Sequence, residues 1–295
     1  MTTRMVRVRL LMLIAGLTLV AGACTKDDDN ASLKDDKAPS SSETRLSQEE
    51  VAKLKTIAQG KLTACADTSS RPFGFEEGGK IDGIDPELVR GLAGRFALSG
   101  EFVATPGKDA LAAIDAGKCD VAGMAMTEAA KKSHLFSEPY FVVYPSLLVR
   151  SADAGKYKDL ASLNGRTIGV AGGTTGAEYA KKNAGAATVK ELSATGNGNE
   201  LFGALEGGQI DAVIHDLPVN AFRASSSGGK TAVTKIFTDA DKKIYALAMP
   251  KDRADLKKVV DDGLVQVKAD DTYPTVLRRF VGDFAAQALK DVGGP

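Results

Sequence analysis

Several places in this chain put chemically useful groups where a strand gives way to a loop or a helix. The run Gly172-Gly173-Thr174-Thr175-Gly176 follows the strand pattern Thr167-Ile168-Gly169-Val170 and opens a helix. Backbone N–H groups and the positive end of the helix dipole gather there, a setting that favours an anion such as a carboxylate. The hydroxyls of Thr174 and Thr175 add donors. The same run also reads as a tight glycine turn with a threonine cap, and it lacks the lysine that follows the glycines of a P-loop. Asp216 comes just past the strand pattern Ile210–Ile214. It either presents a carboxylate to a ligand or caps the helix after Pro218. His215 beside it either lines the same place or packs against the strand. Asp67 follows the first strand and either faces a ligand or closes an Asx turn with Thr68 or Ser69.

Other chemistries find little support. Two His and three Cys do not stock a histidine-rich metal site or a zinc-finger module. No Ser-His-Asp spacing stands out, so neither a catalytic residue nor a cofactor is assigned, and the chain is read as a non-enzyme. The 38 basic and 38 acidic side chains cancel to a formal charge of zero, which leaves no electrostatic footprint for nucleic acid. With 43% apolar and 26% charged residues the composition is that of a folded protein.

The elements that must position these groups alternate. Lys61–Ala66 reads as a strand. Asp85-Pro86 reads as N-cap and first position of a helix with Leu88, Val89, Leu92 and Phe96 on its apolar face. A helix over Lys108–Ala116 and a strand over Cys119–Met124 follow. Beyond a crossing near Ser146–Arg150 the pattern repeats, with helices from Thr174, Glu200 and Val219 between strands, a last clear strand over Ile244–Met249, and a helix over Arg253–Lys268. Strands alternating with helices predict an α/β fold with mainly parallel sheets, whose ligands sit at the carboxyl ends of strands. Ahead of these, Ser47-Gln48-Glu49-Glu50 forms a capping box before Val51, Leu54 and Ala58.

The N-terminus is a separate signal. Arg4, Arg7 and Arg9 precede a short apolar run, Leu10–Val20, and then Ala21-Gly22-Ala23 lead to Cys24. This is the pattern of a secretory signal peptide over 1–23. The small residues before Cys24 resemble a bacterial lipobox, with Ala21 where a bulky aliphatic residue usually stands. The expectation is a lipoprotein, acylated (palmitate-type) at Cys24 and anchored to the outer face of the cell membrane. Residues 24–45, polar and dense in charge, read as a disordered tether. Export leaves Cys65 and Cys119 in an oxidising compartment. Their strand positions favour two small buried thiols, with a disulfide as the alternative.

Several ordered segments carry a resemblance. They are Leu62-Thr63-Ala64-Cys65-Ala66-Asp67 with Arg71-Pro72-Phe73-Gly74-Phe75; Asp82-Gly83-Ile84-Asp85-Pro86-Glu87-Leu88; Gly117-Lys118-Cys119-Asp120-Val121 with Met126-Thr127; Phe136-Ser137-Glu138-Pro139-Tyr140; Gly169–Gly176; and Ala204–Val213, ending in His215-Asp216. Together, over about 48–290, they resemble the extracellular amino-acid-binding proteins of ABC transporters, the polar amino acid family with the type II periplasmic binding fold. The resemblance implies two lobes joined by two crossing strands, 46–146 plus 246–295 and 147–245, closing on a ligand by hinge motion. It implies a monomeric receptor that hands a small polar nitrogenous solute to an ABC permease. The alternatives are a sensor subunit on a membrane signalling protein, or a dehydratase on the same fold. It assigns Asp216 to the ligand α-ammonium, Gly173, Thr174 and Thr175 to its carboxylate side, Thr127 to a ligand-facing hydroxyl, and Asp67 to the ligand side chain.

Two departures from the family pattern stand out. The aromatic wall expected a few residues after Asp67 is Ser70 here, leaving Phe73 to supply it. The arginine that clamps the ligand carboxylate as a bidentate fork is absent, since no Arg lies between Arg95 and Arg150. Counting from Asp120-Val121 puts Lys132 at that position, whereas counting back from Phe136-Ser137 puts Ala130 there. Lys131-Lys132 also reads as a solvated basic loop.

Overall fold

The computed structural model describes Glu49, Val51 and residues 53–294 apart from Gly173 and 194–198. The signal peptide 1–23, Cys24, the tether, Ser47 and Glu50 of the capping box, and Gly173 lie outside the described residues.

The strands in chain order are β1 (Lys61–Ala66), β2 (Ser69–Ser70), β3 (Gly74–Glu77), β4 (Lys80–Asp82), β5 (Ser99–Ala104), β6 (Val121–Ala125), β7 (His134–Phe136), β8 (Phe141–Val143), β9 (Pro145–Arg150), β10 (Thr167–Ala171), β11 (Thr188–Leu192), β12 (Ala212–Asp216), β13 (Thr231–Ile236) and β14 (Lys243–Pro250). A first sheet runs β5-β1-β6-β14-β7, with β8 also paired to β14. A second runs β11-β10-β12-β9-β13, and β2-β3-β4 form a small antiparallel sheet. β1 pairs in parallel with β5 and β6, and β10 with β11 and β12. The antiparallel pairs of the two large sheets all involve β14 or β9. The chain passes from the first sheet to the second at Tyr144 and returns through 237–242. Each large sheet is therefore a parallel α/β core completed by a strand that has crossed.

Helices cover the sheet faces, so the crossing strand β9 is buried from Pro145 to Val149, as expected for a strand enclosed on both sides. On one face of the first sheet, Leu88 and Leu92 of the helix Ile84–Arg95 pack with Leu256, Val260 and Leu264 of Ala254–Ala269 and with Leu277 and Phe280 of Thr272–Val281. The second sheet buries Ile168, Val170 and Ile214 against Ala177 and Ala180 of the helix Thr175–Asn183.

Three local expectations change. The helix expected to be capped by Asp85 starts two residues earlier, at Ile84, with Gly83 as N-cap. Its first N–H groups, of Ile84 and Asp85, donate to the carbonyls of Pro72 and Phe73, so the loop carbonyls do the capping and the Asp85 side chain is released. Gly83 holds φ 132°, and a Cβ there would sit 2.3 Å from the Phe73 carbonyl, so only glycine fits. The helical face expected through Val51, Leu54 and Ala58 gives way to a turn at Lys53. Cys65 and Cys119, expected as free thiols, are joined in a disulfide with Cα atoms 5.5 Å apart. Parallel pairing of β1 with β6 brings the two together, a long-range register that strand assignment alone does not supply.

Candidate functional site

The carboxyl ends of β10 and β12 form one prepared surface. Thr174 is the N-cap of Thr175–Asn183. Its Oγ1 donates to the Ala171 carbonyl at 2.8 Å and accepts from the Ala177 N–H at 3.2 Å, so it closes the turn. Thr175 is buried, and its Oγ1 donates to Oδ1 of Asp216 at 2.7 Å. Gly176 makes this approach feasible: a Cβ there would lie 2.6 Å from the His215 Cα. Asp216 occupies the N-cap position of Leu217–Ser226 but makes no capping bond with its side chain. Its carboxylate instead is oriented by Thr175, and no hydrogen bond or ion pair among the described residues reaches Oδ2. His215 is buried with its ring 6.5 Å from that of Phe202, and its Nδ1 accepts the Asp216 N–H at 2.7 Å. Burial lowers its pKa, opposed by Asp216, so the ring stays neutral and packs beside the strand.

The ends of β1, β6 and β14 form the facing surface. Asp67 closes an Asx turn, with Oδ1 accepting from the N–H and hydroxyl of Ser69 at 3.0 and 2.7 Å. Its Oδ2 has no hydrogen-bond partner among the described residues and lies against Gly107, where a Cβ would come within 2.8 Å. Ser70 sits on β2 opposite Gly74. Phe73 is buried and stacks on Tyr245 at 4.6 Å, nearly parallel, with Phe141 at its edge. It supports the surface through Tyr245 and is a member of the first-sheet core.

Tyr245, on β14, ties the two surfaces together. Its phenol pKa is pushed up, first by burial and then by Asp216, Asp85 and Asp67. Carboxylates from both lobes thus act on one neutral hydroxyl. Asp85 is the member that a capping assignment hid. Its Oδ1 accepts from the Tyr140 hydroxyl at 2.7 Å. Burial pushes its pKa up to about 7, against the lowering effect of that hydrogen bond. Gly123 leaves room for this pair, since a Cβ there would be 2.4 Å from Asp85 Oδ2 and 2.8 Å from the Tyr140 hydroxyl.

Lys132 does not join this group, and Thr127, next to Met126 whose N–H donates to the Ile244 carbonyl, lies by the start of β14 but serves as a helix cap. Thr127 is exposed and caps the short helix Glu128–Ser133 by accepting from the Ala130 N–H at 3.2 Å. Lys132 is exposed in the last turn of that helix. The Lys251 ammonium donates to the neighbouring Lys131 carbonyl, and Pro250 pairs with His134. This end of the helix therefore lies at the far end of β14, roughly 16 Å of strand from Tyr245. Ala130, the other candidate position, is buried.

Residues 62–283 match the model of the bacterial extracellular solute-binding proteins, family 3. The chain belongs to this family. It is 32% identical over 214 residues to a glutamine-binding protein of Geobacillus stearothermophilus, covering 70% of this chain and 79% of that one. It is 25% identical over 232 residues to the L-cystine-binding protein TcyJ of Escherichia coli, covering 77% and 85%. A solved ancestral cationic amino acid solute-binding protein superposes with a TM-score of 0.69 at 27% identity, covering 79% of this chain and 99% of that one. The two large sheets and two crossings are thus the two-lobed type II periplasmic binding fold, of an amino-acid-binding ABC transporter receptor family. In this family member the prepared surface of Thr175 and Asp216 belongs to the second-sheet lobe. Asp67, Asp85 and Tyr245 belong to the first-sheet lobe. Asp85, Tyr140 and Tyr245 were not among the expected site residues. The one available signal was the placement of Asp85 and Tyr140 within the family-like segments.

Proposed function

We propose that this chain is a receptor that binds a small amine-bearing polar solute between its lobes and delivers it to an ABC permease. The observation that carries this reading is the Asp216 carboxylate: one oxygen is fixed by Thr175 and the other has no partner among the described residues, at a strand end. A charge-assisted hydrogen bond from an ammonium to such an oxygen, closed off from water, is among the stronger polar contacts. Asp67 and the Thr174–Thr175 turn are read as further ligand contacts. Relatives named for glutamine and L-cystine support an amino-acid-like solute, and they support a binding protein over an enzyme. We read the receptor as a monomer, and the N-terminal pattern supports its being held at the outer face of the membrane by lipid on Cys24.

The test is a thermal-shift screen of refolded protein against amino acids, their decarboxylated amines and betaines. A ligand at 100 times its Kd adds about 2.7 kcal/mol. A shift from amine-bearing compounds alone is expected. Shifts from betaines equal to those from primary amines would oppose the reading.

A further inference from the structure

An amino acid carries its ammonium and its carboxylate on one carbon, so a site that grips both must set a cation beside an anion. In this chain the family's arginine is missing and Lys132 stands at the remote end of its helix. On the reading above, Asp216 takes the ammonium. We propose that Lys243, on the strand returning from the second lobe, takes the carboxylate.

Lys243 is the first residue of β14 and pairs with Val143 beside the crossing at Tyr144. The next residue, Ile244, accepts from the Met126 N–H at 2.7 Å, which puts Lys243 beside Thr127, where β6 reaches the cleft. Alternation along a strand sends Lys243 and Tyr245 to the same face. Tyr245 stacks on Phe73 and is the phenol whose pKa the three carboxylates raise. Lys243 is only partly exposed, yet its ammonium has neither an ion pair nor a side-chain hydrogen bond among the described residues, unlike Lys131, Lys181 and Lys257. A half-buried ammonium with three unused donors is a site awaiting acceptors. The His215 ring supplies an independent locator. It lies within the field of both Asp216 and Lys243, which act on it in opposite directions. Both charges are thus felt at one imidazole. Bound this way, the ligand carboxylate meets a point charge with rotatable donors in place of a planar fork. It also meets it on the strand that closes the hinge, so carboxylate capture and closure act on the same segment.

The test uses matched pairs that differ only in the carboxylate: L-arginine with agmatine, and L-lysine with 1,5-diaminopentane. Isothermal titration is run on the wild type, Lys243→Met, Lys243→Arg and Lys132→Ala, with melting curves to confirm folding. The wild type is expected to prefer the carboxylated member of a pair by tenfold or more. Lys243→Met should erase that preference while keeping affinity for the amine, and Lys243→Arg should restore it. A preference that survives Lys243→Met, or one lost in Lys132→Ala instead, overturns the inference and leaves the receptor reading intact. Binding of neither member of either pair by the wild type overturns the inference. It removes the receptor reading too if the wider amine screen is also silent. If Lys243→Met does not fold, Lys243→Gln is compared with Lys243→Arg on the same pairs, and an equal preference in the two contradicts the assignment.

Discussion

The two sides of the cleft are built to different standards of rigidity. On the second-sheet side a chain of hydrogen bonds is in place before a ligand arrives. Thr174 caps its helix, Thr175 orients Asp216, and the Asp216 N–H holds the His215 ring. On the first-sheet side, Asp67 is tied only to its own turn, Ser70 occupies a two-residue strand, and the proposed carboxylate partner, Lys243, is a rotatable point charge in place of an arginine fork. What is rigid there is the base, where Phe73 stacks on Tyr245 and Asp85 holds Tyr140. On the proposed reading, the fixed side is the ammonium-binding half of the site and the looser side reads the remainder of the ligand.

This contrast can be broken in several ways. The largest expected effect falls on the first-sheet lobe as a whole. The Cys65–Cys119 bridge closes a loop of 54 residues, and removing such a link costs about 4 kcal/mol in the chain-entropy view. The double substitution Cys65→Ser, Cys119→Ser should lower the denaturant midpoint accordingly. An unchanged midpoint would show that the base is rigid without its staple.

Next is Asp85. Its pKa in the folded protein is raised to about 7, above its unfolded value, so between roughly pH 4 and 7 the folded chain binds more protons than the unfolded one. Stability from this group is therefore present at low pH and falls as pH climbs through 7. Asp85→Asn should raise the melting temperature at pH 8 by several degrees, about 1–3 kcal/mol, and give no gain at pH 4. An equal gain at both pH values would remove the buried acid from the account. The smallest effect is on the prepared side. Thr175→Val, which keeps the shape and deletes the hydroxyl, should weaken amine ligands by about tenfold, the worth of one hydrogen bond to a charge. An unchanged affinity would show that Asp216 needs no orientation.

How much of this was legible in the sequence follows from the range of each interaction. The helix Thr175–Asn183 and its Thr174 cap were legible because cap, turn and helix are contiguous. The α/β alternation was legible for the same reason. The edge strand β5, the β2–β3–β4 hairpin and the helices after Ala269 were not assigned, since their short or half-exposed patterns become informative only once packed. Asp85 was read as a cap because Asp-Pro at a helix start is a strong local signal. What overrides it is the approach of the Pro72 and Phe73 carbonyls and of Tyr140, 55 residues away. Lys132 was placed by counting across a segment without a fixed reference, and only the pairing of Pro250 with His134 shows which end of the sheet it reaches.

The central claim is that Asp216 anchors the ammonium of the ligand. Isothermal titration of L-arginine, L-lysine, L-glutamine and L-cystine into the wild type and Asp216→Ala tests it most directly. The account predicts at least one binder, weakened about 100-fold or more by Asp216→Ala, as expected when one partner of an enclosed charge pair is removed, with the fold intact by melting curve. The same affinity in both proteins would contradict it.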